Sequence, residues 1–167
     1  MENILELQKL CKSFPKSNFI LDKLSFSLPY GAILGFVGEN GAGKTTTIGC
    51  ILNTVRKDSG MVKLFGKEMR DIDTDIREKI GVVYDGDNFP GFWTAKQLSQ
   101  VMEGIYTQWD HALFQKYLED FHLPVKQKIK HYSRGMTMKL AIAVALSHHP
   151  QLLILDEATS GLDPIMR

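Results

Sequence analysis

The sequence predicts an α/β domain with a β-rich start and a block of helices inserted before the chain returns to its central sheet. Three observations carry this. Apolar runs of strand length recur early in the chain, the texture turns helical from about Thr94, and a last apolar run, "LLILDE", restores strand character at residues 152–157. The 167 residues are 44% hydrophobic and 23% charged, enough for a compact domain with a core.

The elements follow in order. "ILELQKL" alternates apolar and polar residues, as a half-exposed strand does. "FILDKLSFSLPYG" reads as a second strand ending in a Pro-Tyr-Gly turn. "AILGFVG" is a continuous apolar run, the pattern of a strand buried on both faces. A helix follows from Thr45 to Asn53, with Ile48, Ile51 and Leu52 at helical spacing. "SGMVKLFGKEM" reads as a short strand pair after a turn at Ser59 and Gly60, and "KIGVVYD" as another buried strand. "TAKQLSQVMEGIY", "DHALFQKYLEDF" and "RGMTMKLAIAVALSHH" read as helices, and "LLILDE" as a buried strand. His148 and His149 suit the electrostatics of a helix C-terminus.

A formal net charge of +1 makes no electrostatic case for nucleic acid or a membrane surface as the main partner. Cys11 and Cys50 fit no metal spacing and read as reduced thiols. "MENILELQKL" carries acids and lacks the long apolar core of a signal peptide. No apolar stretch reaches the roughly 20 residues that a membrane span needs. Work at a membrane therefore requires another polypeptide to cross it.

Between the apolar run and the first helix lies "GENGAGKTTT". Gly38, Gly43, Lys44 and Thr45 stand at the spacing of the Walker A phosphate-binding loop, after a predicted strand and before a helix. The glycines allow positive φ and close approach of the backbone. Successive N–H groups across Glu39, Asn40, Gly41 and Ala42 form an anion nest, and the helix start adds its dipole. Lys44 supplies a point charge for the β- and γ-phosphates of ATP. Thr45 offers a hydroxyl to Mg²⁺, and Thr46 follows it in the phosphate-binding set. Asp156 ends the last apolar run, where ligands bind in open α/β sheets, and is the Walker B candidate for the metal. Glu157 follows as the group that orients and polarises the attacking water. These features predict a P-loop nucleoside triphosphatase core.

"YSRGM", residues 132–136, precedes a helix shortly before that strand. Here the sequence resembles the ABC ATPases, whose signature is usually Leu-Ser-Gly-Gly-Gln. Ser133 and Gly135 match; Tyr132, Arg134 and Met136 depart. "SGLD", residues 160–163, resembles the family's D-loop and adds Asp163 to the nucleotide-binding set. The resemblance spans essentially the whole chain. It looks most like the ATP-binding subunits of bacterial export-type permeases. It implies an ATP-binding core from residues 1–88 and 151–167, carrying an antiparallel β subdomain, and a helical subdomain at residues 89–150.

The resemblance also implies a mechanism. Two ATP molecules, each with Mg²⁺, lie in a head-to-tail dimer with a second ATP-binding subunit, identical or not. Ser133 and Gly135 meet the γ-phosphate held by the other subunit. The extra charge of Arg134 either attracts phosphate or faces solvent. Phe14 stands where the family stacks an aromatic on adenine; a core position is the competing reading. The family's metal-touching glutamine aligns with Asp85, with Asp87 as a rival and a plain loop acid as a third reading. "NFPGFW" borders the groove for the permease; Phe89, Phe92 and Trp93 either anchor that interface or pack the helical block. Hydrolysis would drive a membrane-spanning permease from the cytoplasmic, inner face of the cell membrane, with no nucleic acid involved. The alternative is a soluble ABC-type ATPase acting on ribosomes or nucleic acid. The family places a catalytic histidine on a strand after the D-loop; the sequence ends at Arg167 before it, so the expectation is a truncated chain with poor turnover.

Overall fold

The structure, a computed structural model, describes residues 2–15, 18–39, 41–68, 74–86 and 88–156. It divides into two compact units, Met1–Ile76 and Arg77–Arg167.

The first unit is an antiparallel sheet with one helix. β1 (Asn3–Ser13) lies between β2 (Ile20–Pro29) and β3 (Ser59–Leu64), and β4 (Lys67–Glu68) flanks β3. The alternation of β1 explains its burial: Leu5 and Leu7 share the buried face with Val62 and Leu64. Strict alternation would then expose Leu10. A register shift between Leu7 and Leu10, with Lys9 at φ 47°, returns Leu10 to the core. Gly60 sits opposite at φ 89°, inside β3 rather than in a preceding turn, where a Cβ would collide with the Lys9 carbonyl. Phe65 and Gly66, both at positive φ, make the two-residue turn into β4. α1 (Lys44–Ile51) buries Thr47, Gly49, Cys50 and Ile51 and ends with Asn53 in the left-handed region.

The run at residues 32–37 departs from expectation. It forms no strand; Ile33 is 100% exposed and Val37 97%. An apolar run becomes a buried strand only by pairing with neighbours that cover both its faces. No described strand pairs with this one.

α2 (Thr74–Arg77) is a single turn. In the second unit, β5 (Ile80–Tyr84) runs parallel to β6 (Leu152–Asp156), in register from Ile80 opposite Leu152 to Tyr84 opposite Asp156. Parallel neighbours need a long crossover. Here it contains α3 (Ala95–Glu103), α4 (His111–Asp120), a 3₁₀ turn (Ile129–His131) and α5 (Arg134–Leu146).

The helices α3, α4 and α5 each start on a residue whose side chain caps them. Thr94 and Gln97 form a reciprocal capping box on α3, and the Asp110 carboxylate accepts from Leu113 N–H at 2.8 Å on α4. Leu98, Phe114, Leu118, Leu140 and Ala143 make the helical core. Phe89 and Trp93 pack against that core half-buried, whereas Phe92 is 66% exposed. Thus Phe89 and Trp93 follow the packing reading, and Phe92 does not.

α5 rests on β5 through Met138, Ala141 and Ala145 around Val83. Gly81 permits this approach, since a Cβ there would lie 2.7 Å from the Ala145 carbonyl oxygen. His148 is a correction. It is buried rather than a charged helix terminus, its ring stacked on Tyr106 at 4.0 Å and Nε2 lying 3.2 Å from the Ile80 carbonyl. Burial lowers its pKa. His149 instead faces the Asp110 carboxylate at 3.2 Å. β6 also differs from the sequence expectation: Leu152 is buried, but Leu153 and Leu155 are exposed. Its apolar run is covered on one face among the described residues.

Candidate nucleotide site

The phosphate loop carries its glycines where the backbone needs them. Gly41 has φ 86° and Gly43 φ 97°, both in the region that side chains disfavour. Gly43 caps α1, and its carbonyl accepts both the backbone N–H and the hydroxyl of Thr47, at 2.8 and 2.9 Å. The Ala42 N–H donates to the Glu39 carbonyl at 3.1 Å and tightens the turn. Lys44 folds back over this loop: Nζ donates to the Gly38 carbonyl at 2.7 Å and to that of Glu39 at 3.0 Å. An ammonium held over the loop by neutral acceptors can exchange them for phosphate oxygens. Thr45 is exposed and Thr46 half-buried at the start of α1. Asn40 lies outside the described residues.

Phe14 belongs to the same unit, 39% exposed. Its ring centroid lies 6.0 Å from that of Phe19. Phe19 in turn covers Gly43 so closely that a Cβ there would be 2.7 Å from the ring. The aromatic expected to stack on a base is thereby tied to the loop expected to hold phosphates. Lys12 Nζ stands 5.1 Å from the Phe14 centroid and pairs with Asp58 at 2.9 Å. Asp58 also accepts from the Ser13 backbone N–H at 2.7 Å and the Ser13 hydroxyl at 2.8 Å. The Lys12 hydrogen bond first, and those from Ser13 next, lower the Asp58 pKa to about 2. Sequence reasoning missed Lys12, Phe19 and Asp58. Asp58 lies 45 residues from Ser13, and no local pattern joins them.

The second unit holds the remaining described candidates. Asp156 is buried at the end of β6, opposite Tyr84. Burial, and then the Asp156 charge, raise the Tyr84 pKa. Ser133 caps α5, its hydroxyl accepting from the Met136 N–H at 3.2 Å, and Gly135 lies in the first turn. Asp85, the residue after β5, meets Arg134, the first residue of α5. One terminal nitrogen of Arg134 donates to both carboxylate oxygens, at 2.8 and 2.7 Å. That contact raises the Arg134 pKa. Arg134 is thus engaged with a carboxylate, an outcome neither sequence reading named. Asp87, Glu157 and Asp163 lie outside the described residues.

Thr45 and Asp156 offer a hydroxyl and a carboxylate, the hard oxygen donors that Mg²⁺ prefers. No cluster of three or more His, Cys, Asp or Glu residues suited to a metal occurs among the described residues. No described helix is long and apolar enough to cross a membrane.

A family model described as "ABC transporter" matches residues 21–160. The bacitracin transport ATP-binding protein BcrA of Bacillus licheniformis is 35% identical over 167 residues, covering 99% of this chain and 54% of that protein. A Nod factor export ATP-binding protein I from Burkholderia lata is 36% identical over 153 residues, covering 89% and 50%. The chain therefore spans about half the length of the curated relatives it matches. Among solved structures, an ATP-binding subunit of an ABC transporter superposes with a TM-score of 0.85 at 26% identity, covering 97% of this chain and 69% of that one. A dimeric ATP-binding cassette bound to ADP and Pi gives a TM-score of 0.83 at 22% identity, covering 96% and 77%, and supports the α/β P-loop fold. The phosphate loop, the strand ending in Asp156 and the Ser133-capped helix fall inside the matched span, and the chain belongs to the ABC transporter family.

Proposed function

We propose that the full-length protein is the ATP-binding subunit of an ABC transporter, and that it hydrolyses Mg-ATP in a head-to-tail dimer to drive a membrane permease. The observation that carries this is the phosphate loop, with left-handed Gly41 and Gly43 and the Lys44 ammonium held across it. In this reading the Phe14 ring stacks on adenine. The loop N–H groups, with Lys44 and Thr46, hold the phosphates. Thr45 and Asp156 hold Mg²⁺, which offsets phosphate charge in the transition state. Glu157 orients the attacking water, and Asp163 lines the shared nucleotide interface. Ser133 and Gly135 present a helix N-terminus to the γ-phosphate of the other subunit.

Residues 1–88 and 151–167 would act as the ATP-binding core and 89–150 as the helical subdomain that meets the permease, with Phe92 exposed there. The names of the relatives, bacitracin transport and Nod factor export, favour a transporter over a soluble factor acting on ribosomes or nucleic acid. A permease partner places the subunit peripherally at the inner face of the membrane.

The test uses the full-length protein. Lys44→Ala removes a charge-assisted contact worth about 1.5–3 kcal/mol. ATP affinity, followed by titration calorimetry, should fall accordingly, and phosphate release should fall with it. A folded variant with unchanged affinity and turnover overturns the assignment.

A further inference from the structure

We infer that Asp85 and Arg134 form an exchangeable latch, in which Arg134 gives up the Asp85 carboxylate for a phosphate oxygen of the nucleotide held by the partner subunit. This rests on the dimeric reading above and adds a regulatory residue pair to it. Both residues depart from the family's usual types at positions 49 residues apart, yet the fold brings them together. Each is placed by a rigid element. Asp85 leaves the end of β5, and Arg134 opens α5, which packs on β5 through Met138, Ala141 and Ala145. A single guanidinium nitrogen sits between the two carboxylate oxygens at 2.8 and 2.7 Å.

The position of Arg134 explains why the pair can exchange. A cation in the first turn of a helix opposes the helix dipole, whose positive end it joins. The Asp85 carboxylate offsets that repulsion and pins the side chain. The pair is also solvent-accessible, with 61% of the Arg134 side chain and 32% of the Asp85 side chain exposed. Exposed ion pairs are weak and easily traded. A nucleotide γ-phosphate carries more charge than one carboxylate and offers pairs of oxygens that a guanidinium fork can bind bidentately. It would arrive where the Ser133 hydroxyl and the first amides of α5 already present donors. Asp85 therefore competes with ATP for Arg134 and sets the nucleotide concentration at which two subunits close.

The experiment measures dimerisation of the full-length protein by sedimentation against a non-hydrolysable ATP analogue with Mg²⁺. Asp85→Asn should lower the half-maximal analogue concentration by about two- to fivefold, the scale of one exposed ion pair. Arg134→Gln should raise it by about fivefold or more, because a charge-assisted phosphate contact is lost. The double variant should behave like Arg134→Gln, since the latch acts through the Arg134 guanidinium. A merely structural pair would weaken dimerisation in both single variants and could not produce a gain in Asp85→Asn. A wild-type dimer whose nucleotide dependence is unchanged or weakened in Asp85→Asn overturns the latch alone. No analogue-driven dimer in the wild-type protein overturns the dimeric reading and the latch with it.

Discussion

Gly43 shows how much a single position can be asked to do. Its φ of 97° is costly for any side chain, and the Phe19 ring occupies the space where one would begin. Gly43→Ala should therefore impose about 1–2 kcal/mol of backbone strain and push Phe19 away from the loop. Thermal unfolding should shift downward and ATP affinity should fall together; an alanine variant with native stability and affinity would contradict this account. The requirement for glycine was legible in the Walker A spacing. The role of Phe19 was not, because a contact between residue 19 and residue 43 depends on how the chain returns from β2 to α1. Arg134 teaches the same lesson. Its charge was evident in "YSRGM", but its partner became visible only when β5 and α5 were packed together.

At the scale of elements, Asp58 joins the C-terminal end of β1 to the segment entering β3 through Lys12 and Ser13. Its folded-state pKa of about 2 lies below the ordinary 3.8. The stabilisation is thus present above pH 3.8 and is lost as pH falls through about 2. Asp58→Asn should flatten the acid dependence of unfolding in that window while leaving the dependence near neutrality unchanged. Denaturant midpoints of wild type and variant at pH 2, 3, 4 and 7 test this; parallel curves throughout would remove Asp58 from the account. The strands themselves were legible where alternation or an apolar run was strong, as in β1 and the strand pair β3–β4, although the turn expected at Ser59 and Gly60 lies within β3. The register shift at Lys9 was not, because local alternation says nothing about which later residue must reach the core. The helices were legible from the helical texture of their segments, and the structure adds that Thr94, Asp110 and Ser133 cap them through local hydrogen bonds.

For the whole molecule, the central expectation is that each nucleotide site is shared between two subunits. Mixing a full-length Ser133→Ala, Gly135→Asp subunit with a Lys44→Ala subunit should restore one intact composite site per heterodimer. Phosphate release should recover toward half the wild-type rate, well above either defective homodimer. No recovery in a demonstrated heterodimer would refute sites shared in trans. The sequence by itself determined the phosphate loop, the capped signature helix and the order of elements, because each depends on residue types at short fixed spacing. It also determined that residues 32–37 and 152–155 are apolar runs. Only the tertiary structure decided what covers them: the first run stands unpaired among the described residues, and β6 pairs with β5 while Leu153 and Leu155 stay exposed. It likewise decided that His148 is a buried ring on Tyr106 and that Arg134 meets Asp85. The physical reason is common to these cases. Burial and ion pairing are properties of two surfaces, and a linear pattern describes one of them.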